Sequence, residues 1–321
     1  MKTVAISIGD LNGIGIQLAL ENHDAICKII TPLYCIDMNM LTQASKRLNI
    51  TIPHDFQTIE NIAPHFEIEA GKVSKESGAY AYASFTTAVE LAREKKVDAI
   101  CTLPIHKKAW ENAGVHYKGH TDALRDFFDA EAIMMLGCEK MYVALFTEHI
   151  PLKKVASSIN EKNLTRFLVD FHHTAKPTST VGVLGLNPHA GDDGVLGDEE
   201  VVIQRAIDNA NLTIRHTSTS SVNIQKSVAE PVEAYSNPLV PDVAFTPNVR
   251  KNYTHYVAMY HDQGLAPLKA LYFDEGINVS LNLPILRTSV DHGTAFDIAY
   301  TGCPLNNLSY INAIKYIKES L

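Results

Sequence analysis

Short apolar runs that alternate with helical patterns constrain this chain more than any other feature. The runs are Val4–Ile8, Leu33–Ile36, Ala99–Thr102, Ile133–Leu136, Tyr142–Phe146, Val181–Leu186, Val243–Phe245, Tyr256–Met259 and Val279–Leu283. Between them, residues 14–22, 39–47, 78–95, 121–128, 160–174, 198–210, 294–301 and 306–319 read as helices. The stretch "GAYAYASFTTAVELAREK" carries an apolar stripe at helical spacing and ends in charges. Strands interleaved with helices predict an α/β protein with a largely parallel sheet. "GCEKMY", between two apolar runs, reads as a hairpin turn, so part of the sheet is antiparallel.

A chain of 321 residues that is 46% hydrophobic can bury a large core and divide into two lobes. The net charge is −8 and the basic residues form no stripe, which argues against nucleic acid. No apolar run reaches the ~18 residues of a membrane span. The N-terminus enters a strand without a charged leader, which predicts a cytoplasmic protein. Five cysteines, none in a C-x-x-C pair, read as reduced and mostly buried. Residues 214–240 lack periodicity and read as an irregular excursion.

The first turn, "SIGDLNGIGIQLAL", joins a strand to a helix and invites a dinucleotide reading. A Rossmann turn needs G-x-G-x-x-G. Gly9, Gly13 and Gly15 give G-x-x-x-G-x-G instead, and Leu18 occupies the third glycine position. Asp37, after "PLYCI", is weak support for a ribose contact. On spacing alone, this is a strand, a turn and a helix of open purpose.

Chemistry concentrates just past the strands. "TLPIHKK", "TEHIPL", "NPHAGDDG" and "YHDQGLAPLK" each place a histidine in a turn bearing proline or glycine. Open α/β sheets put ligands at the carboxyl ends of their strands. His149, His189 and His261 could meet there, and three imidazoles suit a divalent metal with open positions. Asp262 and Asp242 could orient a histidine from behind, although each is equally an ordinary turn or cap residue. In "GHTDAL", His120 and Thr121 open a helix, either as a simple cap or as an anion site. Lys269, Asn278 and Arg287 lie close in sequence, and the two cations suit a phosphate or carboxylate.

Taken in order, "GDLNGIG", "LPIHKKAWENAG", "YKGHTDAL", "GLNPHAGDDGVLGDEE", "AMYHDQGLAPLK" and "RTSVDHGTAFDIA" resemble the 4-hydroxythreonine-4-phosphate dehydrogenase family of pyridoxal phosphate synthesis. The resemblance spans most of the chain. It implies the two-lobed isocitrate/isopropylmalate dehydrogenase-like fold, with mixed sheets and no Rossmann domain. Residues 1–117 and 288–321 would form one lobe on the cofactor side. Residues 118–287 would form the other, with the metal-ligand and substrate motifs and the dimer contacts.

Position by position, the resemblance implies a divalent ion (zinc, magnesium or cobalt) on His149, His189 and His261. It implies substrate contacts from His120, Thr121, Lys269, Asn278 and Arg287. "DHGTAFDIA" resembles an adenosine-binding loop, which implies NAD or NADP near His292, Gly293 and Thr294. The implied reaction oxidises 4-phosphooxy-L-threonine to a β-keto acid, which then loses carbon dioxide to give 3-amino-2-oxopropyl phosphate. The metal would lower the pKa of the substrate hydroxyl, and the protein would act as a homodimer with sites at its interface. The alternatives are a sister dehydrogenase of D-threonate or D-erythronate 4-phosphate or of a cyclic diol and, further off, a phosphate acyltransferase. The family's usual "GDPAGIGPE" reads "GDLNGIGIQ" here, with Leu11, Asn12, Ile16 and Gln17 as departures.

Overall fold

The computed structural model describes residues 1–219 and 233–321. The chain divides into two compact units, Met1–Ala132 with Asp274–Leu321, and Ile133–Phe273. The expected boundaries lay at 117/118 and 287/288. With the observed ones, His120, Thr121, Asn278 and Arg287 belong to the unit built from the two chain ends, not to the middle unit.

The first unit opens with β1 (Thr3–Ser7), α1 (Gly15–Cys27), β2 (Thr31–Cys35), α2 (Met38–Leu48) and α3 (Lys75–Arg93). It continues through β3 (Ala99–Thr102), α4 (Lys107–Asn112) and α5 (His120–Phe128). Local chemistry marks these ends. Ser74 caps α3 by accepting from Ser77 N at 3.0 Å. Asn49 and Asp129 close α2 and α5 in the left-handed conformation that short polar side chains tolerate.

The middle unit contains β4 (Ile133–Cys138), β5 (Met141–Leu145), α6 (Val155–Ser158), α7 (Glu161–Ala175), β6 (Gly182–Val183) and α8 (Glu199–Thr219). After the residues outside the description come α9 (Pro241–Ala244), α10 (Pro247–Arg250), β7 (His255–Ala258) and α11 (His261–Tyr272). The chain then returns to the first unit with β8 (Ile277–Leu281), β9 (Leu286–Val290) and α12 (Leu308–Ser320).

In the first unit the strands run β2-β1-β3-β9-β8. The first three pairings are parallel, and β8 pairs with β9 antiparallel, with Ser280 opposite Arg287. Phe85, Trp110, Leu124 and Ile100 anchor a core under α3. In the middle unit β4 and β5 form the expected hairpin, with Gly137 opposite Tyr142. β5 and β7, and β7 and β6, pair in parallel. Val143, Leu145, Tyr256 and Leu265 fill that unit's core.

Two expectations fail, and β9 and α11 carry no clear signal in the sequence, each for an identifiable reason. Val243–Phe245 is not a strand, because Pro241 sets the backbone for α9 and so short an apolar run carries no period of its own. Residues 294–301 form turns, not a helix. Ala295 and Tyr300 adopt left-handed φ values of 43° and 60°, and the Tyr300 hydroxyl donates to Leu11 O at 2.7 Å. β9 escaped notice because Arg287 and Pro284 break its apolar run. α11 escaped because Gly264 and Pro267 lie inside it. A Cβ at Gly264 would stand 2.4 Å from Val143 Cγ1, so the glycine lets the helix lie on β5. Of the stretch 214–240, residues up to Thr219 continue α8 and residues 220–232 lie outside the described residues.

Candidate active site

The first unit builds a polar cluster around one buried cation. Arg287 is 2% exposed on β9. Its Nη2 and Nε donate to Thr102 Oγ1 at 2.6 and 3.1 Å, from the end of neighbouring β3. Nη1 reaches Ser280 Oγ at 3.2 Å and Asn278 Oδ1 at 3.4 Å on β8, and Nη2 donates to His120 Nδ1 at 3.1 Å. Every partner is neutral, and no carboxylate among the described residues forms an ion pair with it. Burial pulls the guanidinium down to about 10, yet it stays charged at neutral pH. A fixed cation without a counter-ion, in a site of low dielectric, strongly favours an incoming anion.

An arginine can only donate, so His120 Nδ1 accepts and the ring's proton sits on Nε2. Burial and the adjacent Arg287 hold this imidazole well below the usual histidine range, so it is neutral. Phe85 and Trp110 flank the ring, with centroids 4.8 and 5.3 Å away. His120 Nε2 and Trp110 Nε1 are both buried donors without a protein partner. Thr121 Oγ1 lies 3.3 Å from Ser280 Oγ and closes the group.

The opening turn belongs to the same unit, and its glycines serve close approaches within the protein. A Cβ at Gly9 would stand 2.2 Å from Pro104 O, and one at Gly13 would stand 2.8 Å from Thr294 O. Ile14 N donates to Thr294 O at 3.1 Å. Asn12, one of the departures, pins the segment 69–72 by bonds to Glu69 N and Lys72 O. Asp37 is likewise structural, since it accepts from Tyr80 Oη at 2.6 Å and from Asn61 N at 2.5 Å. The turn therefore packs against the segment that carries His292, Gly293 and Thr294. There His292 Nε2 is buried without a partner, and nothing stands within 4 Å of a Cβ placed on Gly293. An open glycine beside an unspent ring nitrogen fits a ligand lying along the backbone.

In the middle unit, two of the three candidate ligands meet. The rings of His149 and His261 lie 5.5 Å apart. His261 Nδ1 bonds Asp262 Oδ1 at 2.7 Å, which puts the ring proton on Nδ1 and leaves the Nε2 lone pair for a ligand. His189 lies on a different element of the same unit. It is exposed in the segment Pro188–Gly194, where His189 to Asp193 all have left-handed φ between 46° and 82°. The ligand atoms of His149, His189 and His261 do not all lie within 4.8 Å of one another. Among the described residues, only His23, Cys27 and Asp55 form such a group. Asp242 does not precede a strand. It is exposed on the first turn of α9, which packs on the Pro188–Gly194 segment, and among the described residues it makes no hydrogen bond to a histidine. Lys269 lies on α11 with its Nζ 5.6 Å from the Phe273 ring centroid. Imidazoles with a carboxylate behind one of them fit a divalent ion of the zinc or cobalt type.

The model of the pyridoxal phosphate biosynthetic protein PdxA matches residues 28–317. This chain belongs to the PdxA family. A 4-hydroxythreonine-4-phosphate dehydrogenase of Sulfurimonas denitrificans is 57% identical over 312 residues, 97% of this chain and 95% of that one. One from Helicobacter pylori (strain HPAG1) is 46% identical over 323 residues, covering 98% and 99%. A crystal structure of a 4-hydroxythreonine-4-phosphate dehydrogenase from Burkholderia phymatum superposes with a TM-score of 0.77 at 30% identity, covering 100% and 98%. The PdxA fold is thus the mixed α/β fold expected from the sequence.

Three residues of this PdxA-family site were not singled out in the sequence. Thr102 and Ser280 hold Arg287 and Thr121, and only their positions in strands flanking the motifs hint at it. Gln263 of "YHDQG" accepts from Met259 N at 2.7 Å and donates to Gly185 O at 2.6 Å. It ties the ends of β6 and β7 together just before the two turns that carry His189 and His261.

Proposed function

We propose that this chain is a metal-dependent NAD(P)-linked dehydrogenase that oxidises 4-phosphooxy-L-threonine in pyridoxal phosphate biosynthesis. The observation that carries the reading is Arg287, a buried cation held by neutral side chains in a chain of this family. Its charge is available to a phosphate or carboxylate, and Asn278, Thr121 and His120 lie around it with donors and acceptors for the same group. Lys269 would add a second cation. His149, His189 and His261 would hold the divalent ion, with Asp262 fixing the His261 tautomer. When bound, that ion supplies Lewis acidity that eases loss of the substrate's hydroxyl proton. His292, Gly293 and Thr294 would receive the adenosine end of NAD or NADP. His120, neutral and fixed by Arg287, would offer its Nε2 proton as a hydrogen-bond donor and would not act as a base. The protein would work as a cytoplasmic homodimer.

The deciding experiment is reduction of NAD and of NADP, followed at 340 nm with added zinc, cobalt or magnesium. Substrates would be 4-phosphooxy-L-threonine, D-threonate 4-phosphate and D-erythronate 4-phosphate. Turnover that favours the first substrate supports the reading. Turnover confined to either of the others transfers the activity to a sister dehydrogenase.

A further inference from the structure

We propose that the first unit carries a separate site for a divalent ion of the zinc class, with His23, Cys27 and Asp55 as ligands. It is independent of the reaction proposed above. His23 and Cys27 lie four residues apart on α1, so both side chains leave the same face one turn apart. His23 Nε2 stands 3.4 Å from Cys27 Sγ and 3.1 Å from Asp55 Oδ1. The three ligand atoms all lie within 4.8 Å of one another. Tetrahedral zinc with bonds of about 2.0 Å to nitrogen or oxygen and about 2.3 Å to sulfur needs edges of roughly 3.3–3.6 Å. The two edges from His23 Nε2 need shifts of only a few tenths of an ångström, and the Cys27–Asp55 edge, within 4.8 Å, closes by rotation of the half-exposed Asp55 side chain. A nitrogen, a sulfur and one oxygen form a borderline-soft set that selects zinc over magnesium or calcium.

The surroundings also suit a ligand histidine. Its other nitrogen, Nδ1, lies 3.0 Å from Tyr34 Oη, the kind of partner that fixes a metal-bound imidazole. With the ion on Nε2, Nδ1 becomes the donor and Tyr34 the acceptor. The freed Tyr34 O–H then needs a new acceptor. The neighbouring Tyr310 hydroxyl is fully buried and engages no group other than Tyr34, so it can take that role. The His23 ring is sheltered by Phe56, 5.0 Å away, which itself stacks on Tyr34 at 3.8 Å. Asp55 is half exposed, so an ion has an entry path and the fourth ligand can be water.

The site would act as a clasp. β2 is the outer strand of the first unit's sheet, and the segment holding Asp55 runs beside it, with Tyr34 N donating to Gln57 O and Ile59 N to Tyr34 O. An ion on His23, Cys27 and Asp55 would fasten that segment to α1 across the strand's end.

Cobalt titration of the metal-free full-length protein tests this, because sulfur on cobalt gives a thiolate-to-metal absorption band that histidine ligands cannot. The band should appear within two equivalents in the wild type and with one equivalent in His189→Ala, and should be absent in Cys27→Ser. Tyr34→Phe should weaken cobalt binding by ~10-fold or more while keeping the stacking. Absence of the band in the wild type, or its survival in Cys27→Ser, overturns the site. Should Cys27→Ser fail to fold, Asp55→Asn decides, since its side chain is half exposed. At least tenfold weaker binding supports the site, and undiminished affinity overturns it.

Discussion

Arg287 Nη2 donates to His120 Nδ1 across 3.1 Å, and this bond alone fixes which nitrogen of His120 carries the proton. The bond joins residues 167 positions apart, from β9 to the start of α5. Lysine could supply the charge at 287 but not the fork that binds Thr102, Ser280 and His120 together. Arg287→Lys should therefore raise KM for 4-phosphooxy-L-threonine and lower kcat. Loss of one charged hydrogen bond at ~1.5–3 kcal/mol corresponds to roughly 10- to 150-fold in kcat/KM. Initial rates measure it, and unchanged kinetics would place Arg287 outside the substrate pocket.

Metal binding should separate cleanly from folding at His189. The side chain is exposed, so His189→Ala should lose an equivalent of divalent ion and the activity while its melting temperature stays within a few degrees. Asp262→Ala should weaken binding ~10- to 100-fold by releasing His261 from its tautomer. Elemental analysis after dialysis reads both, and a metal content undiminished from wild type in His189→Ala would sink the histidine triad.

At Gly293 the space around the backbone allows a sharper test than most glycines permit. A leucine there meets no protein atom near its Cβ, so the fold should survive. NADH affinity should fall by about tenfold or more if adenosine lies along this segment, with metal content intact. Calorimetric titration of NADH against Gly293→Leu measures this, and wild-type affinity would remove the segment from the cofactor site.

Two groups, the buried Asp10 and the half-buried His255, make stability depend on pH with opposite signs. Burial pushes Asp10 up from 3.8 to about 6, so the folded state holds a proton that the unfolded chain has released. Its contribution is complete below about 3.8 and is lost as pH rises through about 6. Burial drives His255 down from 6.5 to about 4, so its contribution is complete above about 6.5 and is lost as pH falls toward 4. Relative to wild type, Asp10→Asn should be more stable at pH 8 than at pH 4 by up to ~3 kcal/mol, and His255→Gln should show the reverse trend. Urea melts across that range give both, and parallel curves for wild type and Asp10→Asn would refute the first.

The alternation of strands and helices was legible because most strands are short and apolar, and Ala99–Thr102 matches β3 residue for residue. β9 was hidden by the residue that makes it useful, since a buried arginine breaks the apolar signal a strand needs. α11 was hidden in the same way by Gly264, which serves packing on β5. The motif histidines were legible as a set, yet their assembly was not. Spacing in sequence cannot say that His189 is carried by a run of left-handed residues, His189 to Asp193. The His23, Cys27 and Asp55 group was invisible because Asp55 comes from an irregular segment whose path no period encodes.

The pairing of β3 with β9 also bears on synthesis. Thr102 and Arg287 are 185 residues apart, and the whole middle unit is translated between them. At about 5–20 residues per second, on the order of 10–40 s pass after β3 leaves the ribosome before β9 can pair with it. Through that interval, one edge of the fully buried strand Ala99–Thr102 has no partner. The nascent chain therefore carries an unpaired, aggregation-prone edge through that interval, and the arginine that completes the cluster arrives only after Thr102 and His120 are made.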